Sequence, residues 1–293
     1  MNGACGAGMI PMDRRGENER RDPGGDAFAW SKKWRNQMAN KLFDLSGQVA
    51  LITGSSRGIG KAIAEEMSAS GAKVVISSRK KEACDQVRDE IRARGGEAIS
   101  FTCNIGRKEE VEGLVKATLD HYGGIDILVC NAAVNPFYGS LTKLDDDAWD
   151  KILISNVKSS WWFAKLVIPH MVERGSGNII LLSSIGAFRA TAVLGAYGIS
   201  KAAEAQLARN LALELGPKGI RVNAIAPGLV KTDFAKALWS NPAILQNVEQ
   251  RAPLRRIGQP VEIGGIAVFL ASQAASFITG QLIVADGGSS LGD

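Results

Sequence analysis

The chain has 293 residues, 45% of them hydrophobic, and a formal net charge of +5. This suits one large α/β domain; the scattered basic residues form no stripe for nucleic acid, and no apolar run approaches the ~20 residues of a membrane span. Cys5, Cys84, Cys103 and Cys130 form no CxxC pair and His121 and His170 are the only histidines, so a disulfide framework, a zinc site and a Ser-His-Asp triad are not expected.

Residues 1–40 are rich in Gly, Arg, Asp and Asn and lack helix or strand periodicity. They read as a disordered or loosely docked extension without a signal peptide. Met38 opens a stretch that looks like the beginning of a folded domain at about residue 41; the expectation is that translation starts at Met38 or nearby, or that the extension is dispensable. From Gln48 the pattern becomes regular. Val49–Thr53 is a short apolar run suited to a strand buried on both faces. A glycine turn and a helix through Ser70 follow, then a strand at Lys73–Ser77 and a helix at Lys80–Arg94. Next come a strand at Glu97–Thr102, a helix at Lys108–His121 and a strand at Ile125–Cys130. A long helix is predicted over Asp145–Arg174 and a strand over Asn178–Ser183. The helix carrying Tyr197 runs to about Leu215, and Ile220–Ile225 is the sixth strand. Helical patches at Phe234–Gln250 and Val261–Ser272 precede a last strand at Gln281–Val284. Alternating strands and helices predict a single-domain Rossmann-type α/β fold, a doubly wound parallel sheet of about seven strands.

Several stretches carry chemistry. Thr53-Gly54-Ser-Ser56-Arg57-Gly58-Ile59-Gly60 lies between a strand and a helix, the context of a dinucleotide cradle. Its glycines would let backbone approach a pyrophosphate at the helix N-terminus; a glycine turn serving only close packing is the alternative. Ser78 and Arg79 end the second strand, where an acidic residue would favour an unphosphorylated ribose. A hydroxyl and a guanidinium suit a 2′-phosphate, so NADP(H) is favoured over NAD(H), unless Arg79 and Lys80 are merely solvated charges. Asn131-Ala132-Ala133 puts small residues after the fourth strand. Asn156 lies inside the long helix, where asparagine fits either a water-binding kink or a plain surface position. Ser183 and Ser184 end the fifth strand, and Pro227-Gly228 end the sixth, at the edge where open sheets bind ligands. Tyr197 and Lys201 stand four residues apart on one helix face. An ammonium there favours the phenolate, so the phenol could exchange a proton with a carbonyl or alcohol oxygen. Alone, the pair fits an ordinary surface contact as well.

Taken together, these motifs from about Leu45 to Gly288 resemble the short-chain dehydrogenase/reductase family. Val74–Lys80, Gly124–Val129 and Asn131–Phe137 are similar to its NADPH-dependent carbonyl and retinal reductases of the peroxisomal animal branch and their bacterial relatives. The resemblance implies Tyr197 as general acid or base, Lys201 tuning it and binding the nicotinamide ribose, and Ser184 holding the substrate oxygen. Ser184 is chosen over Ser183 for the family's usual interval before Tyr197. The resemblance also implies that Asn156 holds a relay water, and that Thr232 and the backbone near Val230 contact the carboxamide. Asn104, where the family usually has Asp, and Ile105 would lie beside the adenine. Ser290–Asp293 carries no peroxisomal signal, so a cytoplasmic location is expected. Family members commonly pair two long helices across a two-fold, which implies a homotetramer or homodimer, and Trp161-Trp162-Phe163 is read as interface or core. Residues 232–258, with Phe234, Leu238 and Trp239, form either a mobile substrate lid or a packed amphipathic pair. Two other readings stay open: a 3-oxoacyl-carrier-protein reductase, with Arg251, Arg255 and Arg256 as its basic patch, and a non-catalytic NADP-binding protein.

Overall fold

The computed structural model describes residues 41–291, so the extension read at residues 1–40 and the start at Met38 lie outside the described residues. Each short apolar run becomes a strand: β1 Val49–Thr53, β2 Lys73–Ser78, β3 Ala98–Thr102, β4 Ile127–Cys130, β5 Gly177–Leu182, β6 Ile220–Pro227 and β7 Leu282–Ala285. All neighbours pair in parallel in the order β3-β2-β1-β4-β5-β6-β7. The order reverses between β1 and β4, and that crevice is where such sheets bind ligands.

The helices are α1 Gly58–Ala69, α2 Lys81–Ala93, α3 Lys108–Tyr122, α4 Asp146–Leu153, α5 Ser159–Glu173, α6 Gly195–Leu215, α7 Lys236–Trp239, α8 Pro242–Arg251 and α9 Pro260–Ala271. Strand alternation sends Ala50, Ile52, Val74, Ile76, Ile127 and Val129 to one face, against Ile63, Met67 and Ile263. Leu51, Val75, Leu128 and Ile179 go to the other, against Val111, Phe163 and Ala208. Two separate cores on one sheet are the physical content of the doubly wound prediction. Both faces are packed because most strand positions are apolar, the polar exceptions including Lys73, Asn178, Arg221 and Asn223.

Most boundaries fall within two residues of the sequence reading, and three differences have a physical reason. The helix expected over 145–174 is α4 and α5 joined by a π-helical turn, Ile154–Lys158. The patch at 234–250 is two helices, broken where Asn241 caps the second: its side chain accepts from Ala243 and Ile244 N–H at 3.0 and 3.3 Å, and Pro242 follows at the first helical position. β6 extends two residues further because Ala226 and Pro227 pair with β7, and proline is tolerated at a strand end.

The C-terminal end of α9 is held from below the sheet. Arg221 donates to the carbonyls of Leu270, Ala271 and Ser272 at 2.7, 3.2 and 3.1 Å, and Asn178 donates to Leu270 at 2.9 Å. These bonds satisfy carbonyls that a helix end leaves bare. Among the described residues, no helix is long and apolar enough to cross a membrane.

Candidate active site

The glycine turn leaves β1 and enters α1 with Gly54 and Gly58 in the left-handed region, φ +67° and +57°. A Cβ on Gly54 would meet Ala132 Cα at 2.9 Å, and one on Gly60 would meet Asn131 Nδ2 and the Gly54 carbonyl at 2.4 Å. Asn131 braces this turn. Its Nδ2 donates to the carbonyls of Thr53 and Gly54 at 2.9 and 3.2 Å, while its N–H and that of Ala132 donate to Thr53 Oγ1, both at 3.0 Å. No side chain caps the start of α1. Its unsatisfied N–H groups therefore face the crevice with the positive end of the helix dipole, a fit for a pyrophosphate. Thr232 closes the other side, its Cγ2 lying 3.3 Å from where a Gly58 Cβ would stand.

Ser78 is partly buried and Arg79 exposed at the end of β2. The Ser78 hydroxyl lies 3.1 Å from Cys84 Sγ. Arg57, exposed within the glycine turn, approaches Asp233 at 3.9 Å, a surface pair of little energetic weight. Asn104 uses its Oδ1 to accept from Gly106 N–H at 3.1 Å, which leaves its NH₂ for another partner. Ile105 packs against the second core. Gly228 lies against Asp286, 2.7 Å from Cβ to Cβ if it carried one, and donates to the Ala285 carbonyl at 3.0 Å. Val230 is buried and bridges to Gly258.

Tyr197, Lys201 and Ser184 meet at the carboxyl ends of β4, β5 and β6. Ser183 is buried and donates to the Lys201 carbonyl at 2.7 Å, which fixes α6 against the sheet. Ser184 is partly exposed at the crevice, and its Oγ accepts from Gly186 N–H at 3.1 Å. The Lys201 ammonium stands 5.5 Å from the centre of the Tyr197 ring. It donates to the Leu182 carbonyl at 2.7 Å and to Glu204 Oε2 at 2.6 Å. Burial works against the charge on Lys201, but Glu204 and then Tyr197 outweigh it and hold the ammonium above its ordinary value. Tyr197 ends above the ordinary phenol. Burial is the largest cause; Lys201 pulls down, Glu204 pushes up, and a hydrogen bond with Ser184 pulls down. The Lys201 effect has the expected sign, but in this pocket it does not win.

Asn156 sits in the π-helical turn, fully buried. Its Oδ1 accepts from Val134 N–H at 2.8 Å, and its Nδ2 donates to the Val134 carbonyl and to Ser200 Oγ, both at 3.0 Å. The kink is present, but the side chain is spent on joining the β4 loop to α6. Beside Tyr197 lies a narrow cleft lined by Phe137, Leu141, Leu144, Ile152, Val193 and Leu194. Phe234 covers the phenol from the 232–258 segment, with ring centroids 6.1 Å apart. Arg256 is locked by a two-pronged pair with Glu262 at 2.8 and 2.6 Å, which pulls Glu262 down to about 2.

The family model described as Enoyl-(Acyl carrier protein) reductase matches residues 54–290. Dehydrogenase/reductase SDR family member 4 of Oryctolagus cuniculus is 46% identical over 245 residues, 84% of this chain and 94% of that protein. The chain belongs to the short-chain dehydrogenase/reductase family. The human member 4 is 42% identical over 264 residues, 90% of this chain and 95% of that one. Among solved structures, a gluconate 5-dehydrogenase from Burkholderia cenocepacia J2315 in complex with NADP and tartrate superposes with a TM-score of 0.84 at 32% identity, covering 87% of this chain and 100% of its own. A 7 alpha-hydroxysteroid dehydrogenase complexed with NADH and 7-oxo glycochenodeoxycholic acid gives 0.82 at 37%, covering 85% and 96%.

As a short-chain dehydrogenase/reductase, the protein is an oxidoreductase that moves hydride to or from a nicotinamide cofactor. Sequence reasoning missed two members of this site: Thr53, whose hydroxyl accepts from Asn131 and Ala132 and so ties the glycine turn to β4, and Glu204, buried behind Lys201. Glu204 was within reach: positions 197, 201 and 204 follow the i, i+4, i+7 spacing of one helix face.

Proposed function

We propose that this protein reduces the carbonyl of a small apolar substrate with NADPH, Tyr197 delivering the proton. The observation that carries the reading is the meeting of Ser184, Tyr197 and Lys201 beside an uncapped, glycine-lined helix start. Gly54, Ser56, Arg57, Gly58, Ile59 and Gly60 would hold the pyrophosphate. Ser78 and Arg79 would take the 2′-phosphate, Asn104 and Ile105 the adenine, and Asn131, Ala132 and Ala133 the sugar side. Pro227, Gly228, Val230 and Thr232 would bound the nicotinamide. The bound cofactor supplies the hydride.

The remaining chemistry belongs to the chain. Ser184 orients the substrate oxygen and donates to it as negative charge builds. Tyr197 then passes its proton to that oxygen, and Lys201 stabilises the phenolate left behind. Asn156 holds the β4 loop and α6 in register, and the carbonyl-rich π-helical turn around it is where a relay water would sit. Phe137, Leu141 and Val193 beside Tyr197 would present apolar side chains to the substrate body, and residues 232–258 would act as its lid. Of the three candidate arginines, Arg256 is paired with Glu262 and Arg255 donates to the Gln250 carbonyl, which weakens both as anchors for an acidic carrier protein and favours the broad carbonyl reductase over the 3-oxoacyl reductase. Exposed Trp161 on α5 and Leu213 on α6 support pairing of these helices between copies, as a homotetramer or homodimer. Cys103 and Cys130, buried and pushed up to about 12, behave as inert reduced thiols, which fits the cytoplasm. Tyr197→Phe tests the assignment: NADPH should still bind, while kcat for ketone reduction falls by about 10²–10⁴-fold. A variant that keeps wild-type turnover refutes it.

A further inference from the structure

Glu204 is fully buried, and burial holds its carboxyl above the ordinary value although Lys201 and Ser160 pull it down. It faces Lys201 and Tyr197 on its own helix, Ser160 on α5 and Cys130 at the end of β4. Oε2 accepts from Lys201 Nζ at 2.6 Å, and Oε1 accepts from Ser160 Oγ at 3.1 Å. The Ser160 hydroxyl also lies 3.1 Å from the carbonyl of Asn156, in the π-helical turn. Lys201 and Glu204 are 2% and 1% exposed at their side chains, so water does not screen the pair. An ammonium has three donors. Two are engaged by Leu182 and Glu204, leaving one to serve the crevice.

We propose that Glu204 is a positioning residue: its carboxylate holds the Lys201 ammonium at the back of the pocket and offsets its field at the Tyr197 hydroxyl. A general acid must be protonated before it can act, whereas a general base for alcohol oxidation must not be. An ammonium with no counter-charge favours the phenolate, and one countered by Glu204 favours the phenol. The direct effect of the carboxylate on Tyr197 has this sign, pushing the hydroxyl up. Cys130 is held in its thiol form by burial first and by Glu204 second, so it brings no competing charge. The consequence for catalysis rests on Tyr197 being the proton donor; the effect on the phenol itself does not.

The test is the near-ultraviolet absorbance titration of tyrosinate in the full-length protein. The chain has three tyrosines, Tyr122, Tyr138 and Tyr197, and subtraction of the Tyr197→Phe titration isolates the third. In Glu204→Gln the Tyr197 midpoint should fall by about one pH unit. The alkaline limb of kcat/KM for ketone reduction should move down with it, and Glu204→Asp should return both toward wild type. Glu204→Ala carries the same expectation should the glutamine variant not fold. A midpoint that stays or rises in the Gln or Ala variant overturns the role of Glu204. A shifted midpoint with an active Tyr197→Phe supports the effect on the phenol and overturns instead the proton-donor reading.

Discussion

Gly60→Ala sets two physical effects against each other. Gly60 lies in the first turn of α1, and helix propensity alone favours alanine there by about 1 kcal/mol. Its φ is not in the left-handed region, so backbone strain does not enter. The new Cβ would stand 2.4 Å from both Asn131 Nδ2 and the Gly54 carbonyl oxygen, each far inside contact distance and one of them backbone. Overpacking of this kind costs about 1–3 kcal/mol. Moving Asn131 also weakens its bonds to Thr53 and Gly54, worth about 1 kcal/mol each. The net is a loss of about 2 kcal/mol, or about 4–6 °C in Tm for a domain of this size. The Kd for NADPH should rise about tenfold or more, because the turn that faces the pyrophosphate has shifted. Gly113→Ala is the control. It lies exposed in the middle of α3 with nothing within 4 Å of its added Cβ, and should gain about 0.5–1 kcal/mol. Thermal melts and NADPH fluorescence titrations of both variants decide the matter. A Gly60→Ala protein as stable as Gly113→Ala, with undiminished affinity, refutes the claim that contact rather than propensity governs the turn.

Arg79→Asp removes a guanidinium from the proposed 2′-phosphate site and adds a repulsive charge. The ratio of kcat/KM with NADPH to that with NADH should drop at least about 30-fold, the equivalent of about 2 kcal/mol of charge-assisted hydrogen bonding; an unchanged ratio shows that Arg79 does not discriminate. Phe234→Ala uncovers Tyr197. Loss of an aromatic contact worth about 0.5–1.5 kcal/mol should lower kcat/KM for an apolar ketone about 2–12-fold. Tm should move by less than about 2 °C, since the ring is 53% exposed; an unchanged kcat/KM removes Phe234 from the lid.

What was legible in the sequence is what depends on local pattern. Apolar runs bounded by glycine gave every strand its place, because a strand buried on both faces needs apolar residues throughout. The Tyr197-Lys201 spacing placed both on one face, as helix geometry requires. What was not legible depends on partners far along the chain. Asn156 reads as a water-binding or surface residue until Val134 and Ser200 are seen to use all of its polar atoms. Asn131 reads as a small neighbour of the cofactor until its amide is found holding the glycine turn. The net effect on Tyr197 also escaped: Lys201 and Glu204 lie on one helix face of the sequence, but the burial that outweighs Lys201 is visible only in three dimensions.

The bridge between Val230 and Gly258 has one more consequence. Lys231 donates to the Gly258 carbonyl, and Gly258 to that of Leu229, both at 2.9 Å, so the two stems of the 232–258 segment are stapled side by side. Just beyond, Gln259 and Glu262 form a capping box on α9, whose far end Arg221 and Asn178 already hold. The segment is therefore a long loop on fixed stems, tied to the site at its start by Thr232 beside Gly58 and Phe234 over Tyr197. Doubling its length costs only about 0.6 kcal/mol of closure entropy. Insertions between α7 and α8 should thus leave both stems and the glycine turn in place.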